Sequence, residues 1–447
     1  MKPSNSSTEA KILKKLQHYF CPDQLEKLAK STGFIKRERK FNLYLFVILL
    51  VIEIRNTSVE SLNDLSIYFS QKGVNISKQG LDFRFNHGAV KFMRELISKV
   101  LFLKFEGYSG LPQASVFNRI RLKDSTVFQL PPQYSRKFAG PGGAASISGI
   151  KFQYEYDLMK CCDVDIDIQS SNQSDSKSPF QDIQPKDLCL ADLGYFKLSH
   201  FKDIIKQGAY FLSRFKYNVV IYIKDSKQYK IINLESIIVK MKEGDFIRKS
   251  VYLGLKDKLP ANLILERVPE KISAEKRRRL KKTAKRKGVT VRAERLAYCD
   301  VNAYITNVDN ETLPLTLIRS IYSLRWQIEI VFKTWKSTFN LNKVKPMKME
   351  RFECITYGTL VKIILCQKIY DYYRTTIWNK HRIELSELKS MKYIMSIIDC
   401  IKTIGVNNDQ LIIKKLFIDT PKTLMQKCNK ECKKDKLTPM MILNNIP

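Results

Sequence analysis

The sequence predicts an α/β fold: a mixed-sheet core with a β-rich insertion, flanked by helical N- and C-terminal regions. Three observations carry this. Apolar residues recur at helical spacing through residues 1–115 and again after residue 315, whereas residues 118–223 alternate apolar and polar side chains with period two. Between 217 and 300, short strand patterns run into a dense basic stretch. The expected organisation is a helical domain over 1–115, a mixed-sheet core from 116–216 and 301–345, a β-rich basic insertion over 217–300, and a helical region over 346–447.

In chain order, residues 12–20, 23–32, 43–54 and 90–105 have helical apolar spacing. Residues 58–69 and 77–85 form two short helix candidates around Gln71-Lys72-Gly73-Val74-Asn75. Ser77 is an N-cap candidate for the second, which places Lys78, Gln79 and Arg84 to touch DNA. The pair resembles a helix-turn-helix, with the basic Arg37-Glu38-Arg39-Lys40 nearby, although glycine-turn helix pairs occur in any helical domain. Strands follow over 118–129, 150–158, 163–169, 188–192, 209–215 and 219–223, punctuated by Pro131-Pro132 and Gly140-Pro141-Gly142-Gly143. Asp163, Asp165 and Asp167 alternate on one strand and should share a solvated face. Strand candidates at 229–234 and 246–253 precede twelve Lys or Arg between 271 and 295. A last strand at 303–306 leads to a helix over 315–338, and residues 356–375 and 385–401 are helical.

The formal charge of +34, from 78 Lys and Arg against 44 Asp and Glu, makes a polyanion the expected partner, and double-stranded DNA fits. The longest apolar run, residues 43–52, is about half a membrane-spanning helix, and no secretory signal opens the chain. Its ten cysteines lack disulfide-framework or zinc spacing, so reduced thiols in a cytoplasm are expected. No P-loop, nucleophile elbow or histidine cluster offers another chemistry.

On one helix, Tyr322, Arg325, Glu329 and Lys336 would lie within about 60° of one another, beside Ile321, Leu324, Ile328, Val331, Phe332 and Trp335. A solvated stripe and a face arranged for an anionic, metal-bridged ligand both fit that row. Asp124, inside the first strand, and Asp192, at the end of a later one, could complete a carboxylate set with Glu329. Asp124-Ser125-Thr126, Ala191-Asp192-Leu193-Gly194-Tyr195-Phe196 and the spacing Tyr-x2-Arg-x3-Glu-x6-Lys resemble the three motif regions of bacterial DDE transposases of insertion sequence family four. The separations of 68 and 137 residues between the three acids suit that family.

The resemblance implies an RNase H-like core in which Asp124, Asp192 and Glu329 are catalytic and hold two Mg²⁺, with Mn²⁺ as a substitute. It implies that Tyr322, Arg325 and Lys336 bind the DNA of the transposon end. It also implies cut-and-paste transposition: both strands cleaved by hydrolysis and transesterification through a hairpin, then joining of 3′ ends to target DNA by a synaptic homodimer. An aromatic from the insertion, Tyr298 or Tyr304, would hold a flipped base. The competing readings are a catalytically idle DNA-binding derivative and an RNase H-like nuclease without strand transfer. The Tyr, Arg and Lys row separates the nuclease from the transposase, because hydrolysis alone needs only the carboxylates.

Overall fold

The computed structural model describes residues 18–36, 41–54, 61–103, 116–142, 146–226, 228–399, 419–431 and 437–446. The expected helix over 12–20 falls almost wholly outside these residues, as does Arg37-Glu38-Arg39-Lys40.

The N-terminal helices are α1 (Pro22–Ser31), α2 (Leu43–Ile48), α3 (Leu62–Gln71), α4 (Lys78–Asp82) and α5 (His87–Leu101). Their starts are legible in local chemistry: Asn42, Ser61, Ser77 and Asn86 each cap a helix by accepting a backbone N–H, and Ser61 and Asp64 form a reciprocal capping box. The continuous apolar stretch after α2 winds on as a π-helical turn, Leu49–Glu53. It lies against the long helix α12 (Met349–His381). A Cβ on Gly358 of α12 would meet the Leu50 carbonyl oxygen at 2.5 Å, so only glycine allows that approach. Lys362 of α12 donates to the Ile52 and Ile54 carbonyls at 3.0 and 2.6 Å, satisfying the end of the turn from inside the core.

The ten strands are β1 (Arg119–Gln129), β2 (Gly149–Asp157), β3 (Cys162–Ser170), β4 (Asp187–Ala191), β5 (Tyr210–Arg214), β6 (Ile221–Asp225), β7 (Gln228–Ile231), β8 (Phe246–Leu253), β9 (Leu259–Arg267) and β10 (Val301–Thr306). They form one sheet in the order β3-β2-β1-β4-β5-β10-β9-β8-β6-β7. β1 is antiparallel to β2 and parallel to β4, which is parallel to β5; this is the expected RNase H-like mixed sheet, with helices at both ends of the chain. The strands between β5 and β10 extend that same sheet through the β9–β10 pairing. β9 has no counterpart in the sequence reading, because Pro260 and Asn262 mask its start and Leu263-Ile264-Leu265 breaks the alternation.

Two sequence expectations are corrected here. Asp163, Asp165 and Asp167 do not share a solvated face: a bulge opposes Tyr156 to Asp163 and Glu155 to Asp165, leaving Val164 extra. Asp163 is thereby buried, accepting from the Tyr154 hydroxyl at 2.7 Å, with the Lys368 ammonium at 3.6 Å. The single helix over 315–338 is two helices, α10 (Leu315–Ser323) and α11 (Trp326–Ser337). Leu324, Arg325, Gln327 and Ile328 all bond three residues back, so the chain tightens into a 3₁₀ turn between them.

The core holds several ionisable groups. Glu387, first in helix α13 (Glu387–Ile397), is buried, and burial pushes its carboxyl from 4.5 up to about 7 against the pull of Arg374 and Lys430. A raised carboxyl favours the fold below its unfolded value and loses that contribution as pH climbs through about 7. The gap corresponds to about 3 kcal/mol. Glu387→Gln should therefore gain on the wild type by roughly that amount between pH 4.5 and pH 8.5, whatever its pH-independent cost. Urea denaturation of both chains across this range checks it, and parallel stability curves would refute it.

Candidate active site

Asp124 lies midway along β1, opposite Tyr154 of β2. The pleat puts Asp124, Thr126 and Phe128 on one face, and α11 lies across that face. It is held there by Trp335, whose ring meets Phe152 edge-on at 6.2 Å and Tyr154 at 5.2 Å, and by Phe332 against Tyr154. This docking brings Glu329, in the first turn of α11, toward Asp124, and Lys336, in the last turn, to 5.4 Å from the Phe128 ring.

Arg325 joins the carboxylates. Its guanidinium donates to Asp124 Oδ2 at 3.2 Å and to Glu329 Oε1 at 2.7 Å, with Arg325 13% exposed, Asp124 18% and Glu329 37%. Burial pushes the Asp124 carboxyl up to about 6. The Ser125 backbone N–H and Arg325 oppose this, and the negative charges of Asp192 and Glu329 add to it. Asp192 therefore lies within electrostatic reach of Asp124. It opens the short 3₁₀ turn after β4, whose register with β1 sets Ala191 beside Lys123.

Tyr322 sits differently from the straight-helix expectation. The 3₁₀ turn leaves it in the last turn of α10 with its ring 5% exposed, packed edge-on against Tyr304 at 5.4 Å. Its hydroxyl donates to the Ala191 carbonyl at 3.4 Å, so the phenol holds the strand end that carries Asp192. Tyr304 is buried in that contact, and Tyr298 stacks on Phe215. Far along the chain, Lys78 is exposed at the start of α4, whereas Arg84 is half-buried with its guanidinium 4.5 Å over the Phe41 ring.

The sequence reading missed what braces the two aspartate segments. Asp175, in a 3₁₀ turn before β4, accepts at one oxygen from Ser125 Oγ, Lys151 Nζ and Gln153 Nε2, each at 2.9 Å. Gln153 in turn accepts from the Tyr195 hydroxyl, and a Cβ on Gly194 would meet Asp175 at 3.3 Å. One carboxylate thus ties the residue after Asp124 to the turn after Asp192. Only the polar residues of β2, in a strand buried along its whole length, could have signalled this. A second omission is Trp326, 62% exposed and next to Arg325.

Three carboxylates are the oxygen donors that a hard divalent cation takes. Among the described residues no three Asp, Glu, His or Cys side chains converge closely enough to hold a metal, and the Arg325 guanidinium lies between two of the carboxylates. The donor types fit such an ion once that guanidinium turns away.

Residues 116–364, more than half of the chain, match the family described as Transposase DDE domain. The chain is 33% identical over 422 residues to the transposase for insertion sequence element IS231C of Bacillus thuringiensis subsp. berliner, spanning 90% of this chain and 88% of that one. It is 34% identical over 404 residues to the transposase for insertion sequence element IS1151 of Clostridium perfringens, spanning 85% and 84%. A solved piggyBac transposase synaptic complex with hairpin DNA is similar at 11% identity and a TM-score of 0.46, over 94% of this chain and 86% of that chain.

Proposed function

The chain belongs to the transposases with a DDE domain, and from that premise we propose that it cuts and pastes an insertion sequence through the site around Asp124. The observation that carries this is the Arg325 guanidinium spanning Asp124 and Glu329 beside the Asp192 turn. It brings together side chains 201 and 4 residues apart that resemble one motif set.

In this reading Asp124, Asp192 and Glu329 hold two Mg²⁺, with Mn²⁺ as a substitute. When bound, these ions activate water and stabilise the leaving oxygen of an in-line displacement at phosphorus. Arg325, released from the carboxylates, offers its planar fork to a phosphate of the transposon end. Lys336 reaches the same DNA one helix length along β1. Tyr322 acts through its bond to Ala191, keeping the Asp192 turn against the sheet. The N-terminal region over 1–115 binds the terminal inverted repeat, with Lys78 exposed for phosphate contact and Arg84 reaching DNA by its outer edge. Both strands are cut, the second through a hairpin, and a homodimer built on residues 346–447 joins the 3′ ends to target DNA. Among the described residues no helix is long and apolar enough to cross a membrane.

Trp326 supplies the readout for binding. Of the three tryptophans, Trp335 and Trp378 are buried, so DNA entering this site should quench the emission of Trp326 alone. The chain, Mg²⁺ and a duplex ending in the element's terminal repeat are expected to give quenching, end cleavage and joined product. Quenching and cleavage without joining would indicate a nuclease, and quenching without cleavage an idle derivative. Cleavage without quenching would move the site elsewhere.

A further inference from the structure

The twelve cations between 271 and 295 are divided by the fold. Most of them lie on helix α8 (Glu270–Arg286), which is fixed to the sheet by one face. Ser273 Oγ donates to Asp300 Oδ1 at 2.8 Å, and Lys276 Nζ to the Val301 carbonyl at 3.1 Å and Asn302 Oδ1 at 2.8 Å. Arg277 pairs with Glu270 and Asp300, and Arg279 with Glu275. Arg277 and Arg279 are thus neutralised within the protein, and Lys276 is hydrogen-bonded to it.

The opposite face is not. Taking Arg278 as origin, Lys271, Arg278, Lys281, Lys282 and Lys285 fall within about 100° and extend over about 21 Å of helix. All five are exposed, and none has a hydrogen bond or ion pair with a described residue. A ridge of like charge repels itself along its length, so it favours a partner that places anions at regular intervals, and a duplex does so along each strand.

The ridge is also rooted at the right end of the sheet. β10 is antiparallel to β5, so its first residues, which anchor Lys276, lie at the C-terminal end of β5. β5 is parallel to β4, so this is the end where Asp192 stands, two strand spacings or about 10 Å to the side. Arg214, the last residue of β5, places its guanidinium 5.6 Å from the Tyr322 ring and acts electrostatically on Lys276. Cationic side chains thus lead from the carboxylates toward α8.

We propose that the Lys271, Arg278, Lys281, Lys282 and Lys285 face of α8 grips the phosphates of the DNA duplex leaving the active site, without regard to base sequence. This rests on the proposed function, and it assigns to four or five named side chains a contact made through backbone charge alone.

The test replaces Arg278, Lys281, Lys282 and Lys285 together by Gln, which preserves helix propensity and leaves the anchoring face intact. The log–log salt slope for binding a duplex should fall by about three to four, equally for end-bearing and scrambled sequences. A slope within one of the wild type, in a chain with unchanged melting, would overturn the proposal. So would a loss confined to end-bearing duplex, or a larger loss for an RNA duplex than for DNA. Should the variant not fold, acetylation of wild-type lysines with and without scrambled duplex decides: Lys281, Lys282 and Lys285 are expected to be protected and exposed Lys240 not, and equal labelling refutes the ridge. If the wild type neither binds nor cuts end-bearing duplex, the proposed function has failed instead.

Discussion

Asp124→Ala, Asp192→Ala and Glu329→Ala are each expected to lower metal-dependent cleavage of end-bearing DNA by on the order of 10³-fold or more while leaving DNA binding in place. The separation follows from geometry. Binding in this reading depends mostly on Lys78, Lys336 and the unpaired cations of α8, none of which contacts a carboxylate of the site. Arg325, the proposed DNA contact that Asp124 and Glu329 hold, is released rather than lost when either acid is removed. Asp124→Ala is the cleanest of the three. Its buried carboxyl is raised from 3.8 to about 6, so its contribution to stability is complete below 3.8 and lost as pH rises through about 6. The ionised group is held less favourably than the protonated one, so whatever stability its removal costs should be smaller at pH 8 than at pH 4. Single-turnover cleavage on a gel, with filter binding in parallel, gives both readings. Retention of cleavage by all three variants would remove the site.

Glu155→Ala is expected to destabilise the protein by about 3–5 kcal/mol, the largest stability effect among these substitutions. Glu155 lies in β2 with its side chain 1% exposed. It pairs with Arg121, accepts from Lys123 Nζ at 2.7 Å and takes the Gln181 backbone N–H at 3.1 Å. Without it, two cations remain inside the sheet. Arg121 keeps Asp187 at 3.6 Å and the Asp182 carbonyl, and Lys123 keeps the Pro179 carbonyl at 2.7 Å and the Phe180 ring at 5.8 Å, with no carboxylate paired to it. Desolvated charge with so little compensation costs more than the pair itself contributes. Lys123 precedes Asp124, so the damage should reach the site as well. Urea denaturation measures the effect, and a loss under 1 kcal/mol would show that water reaches these cations.

The local signals were the readable ones. The helix caps at Asn42, Ser61, Ser77 and Asn86 act over three residues, and the alternation in β1 and β2 reports burial on each side of a strand. β9 escaped because a proline near its start and a continuous apolar run erase period two. The three aspartates of β3 were misread because one extra residue, Val164, reverses the face of everything after it, and no composition signals a bulge. The straight helix through Tyr322 and Glu329 was misread because Leu324 and Arg325 suit an α-helix and a 3₁₀ turn equally well.

By itself the sequence determined the mixed α/β class, the excess of cations and the three acids with their Tyr, Arg and Lys companions, since each is written in residue type and spacing. Only the tertiary structure decided how those residues are used. Sheet order brought Asp124 and Asp192 to neighbouring strands, and a tightened turn sent Tyr322 inward to Ala191 and Arg325 across two carboxylates. Packing of α8 by one face separated paired cations from free ones. The reason is physical. Periodicity fixes which side of an element faces the core, but which charge meets which depends on contacts between segments far apart in the chain, and those exist only once the sheet is assembled.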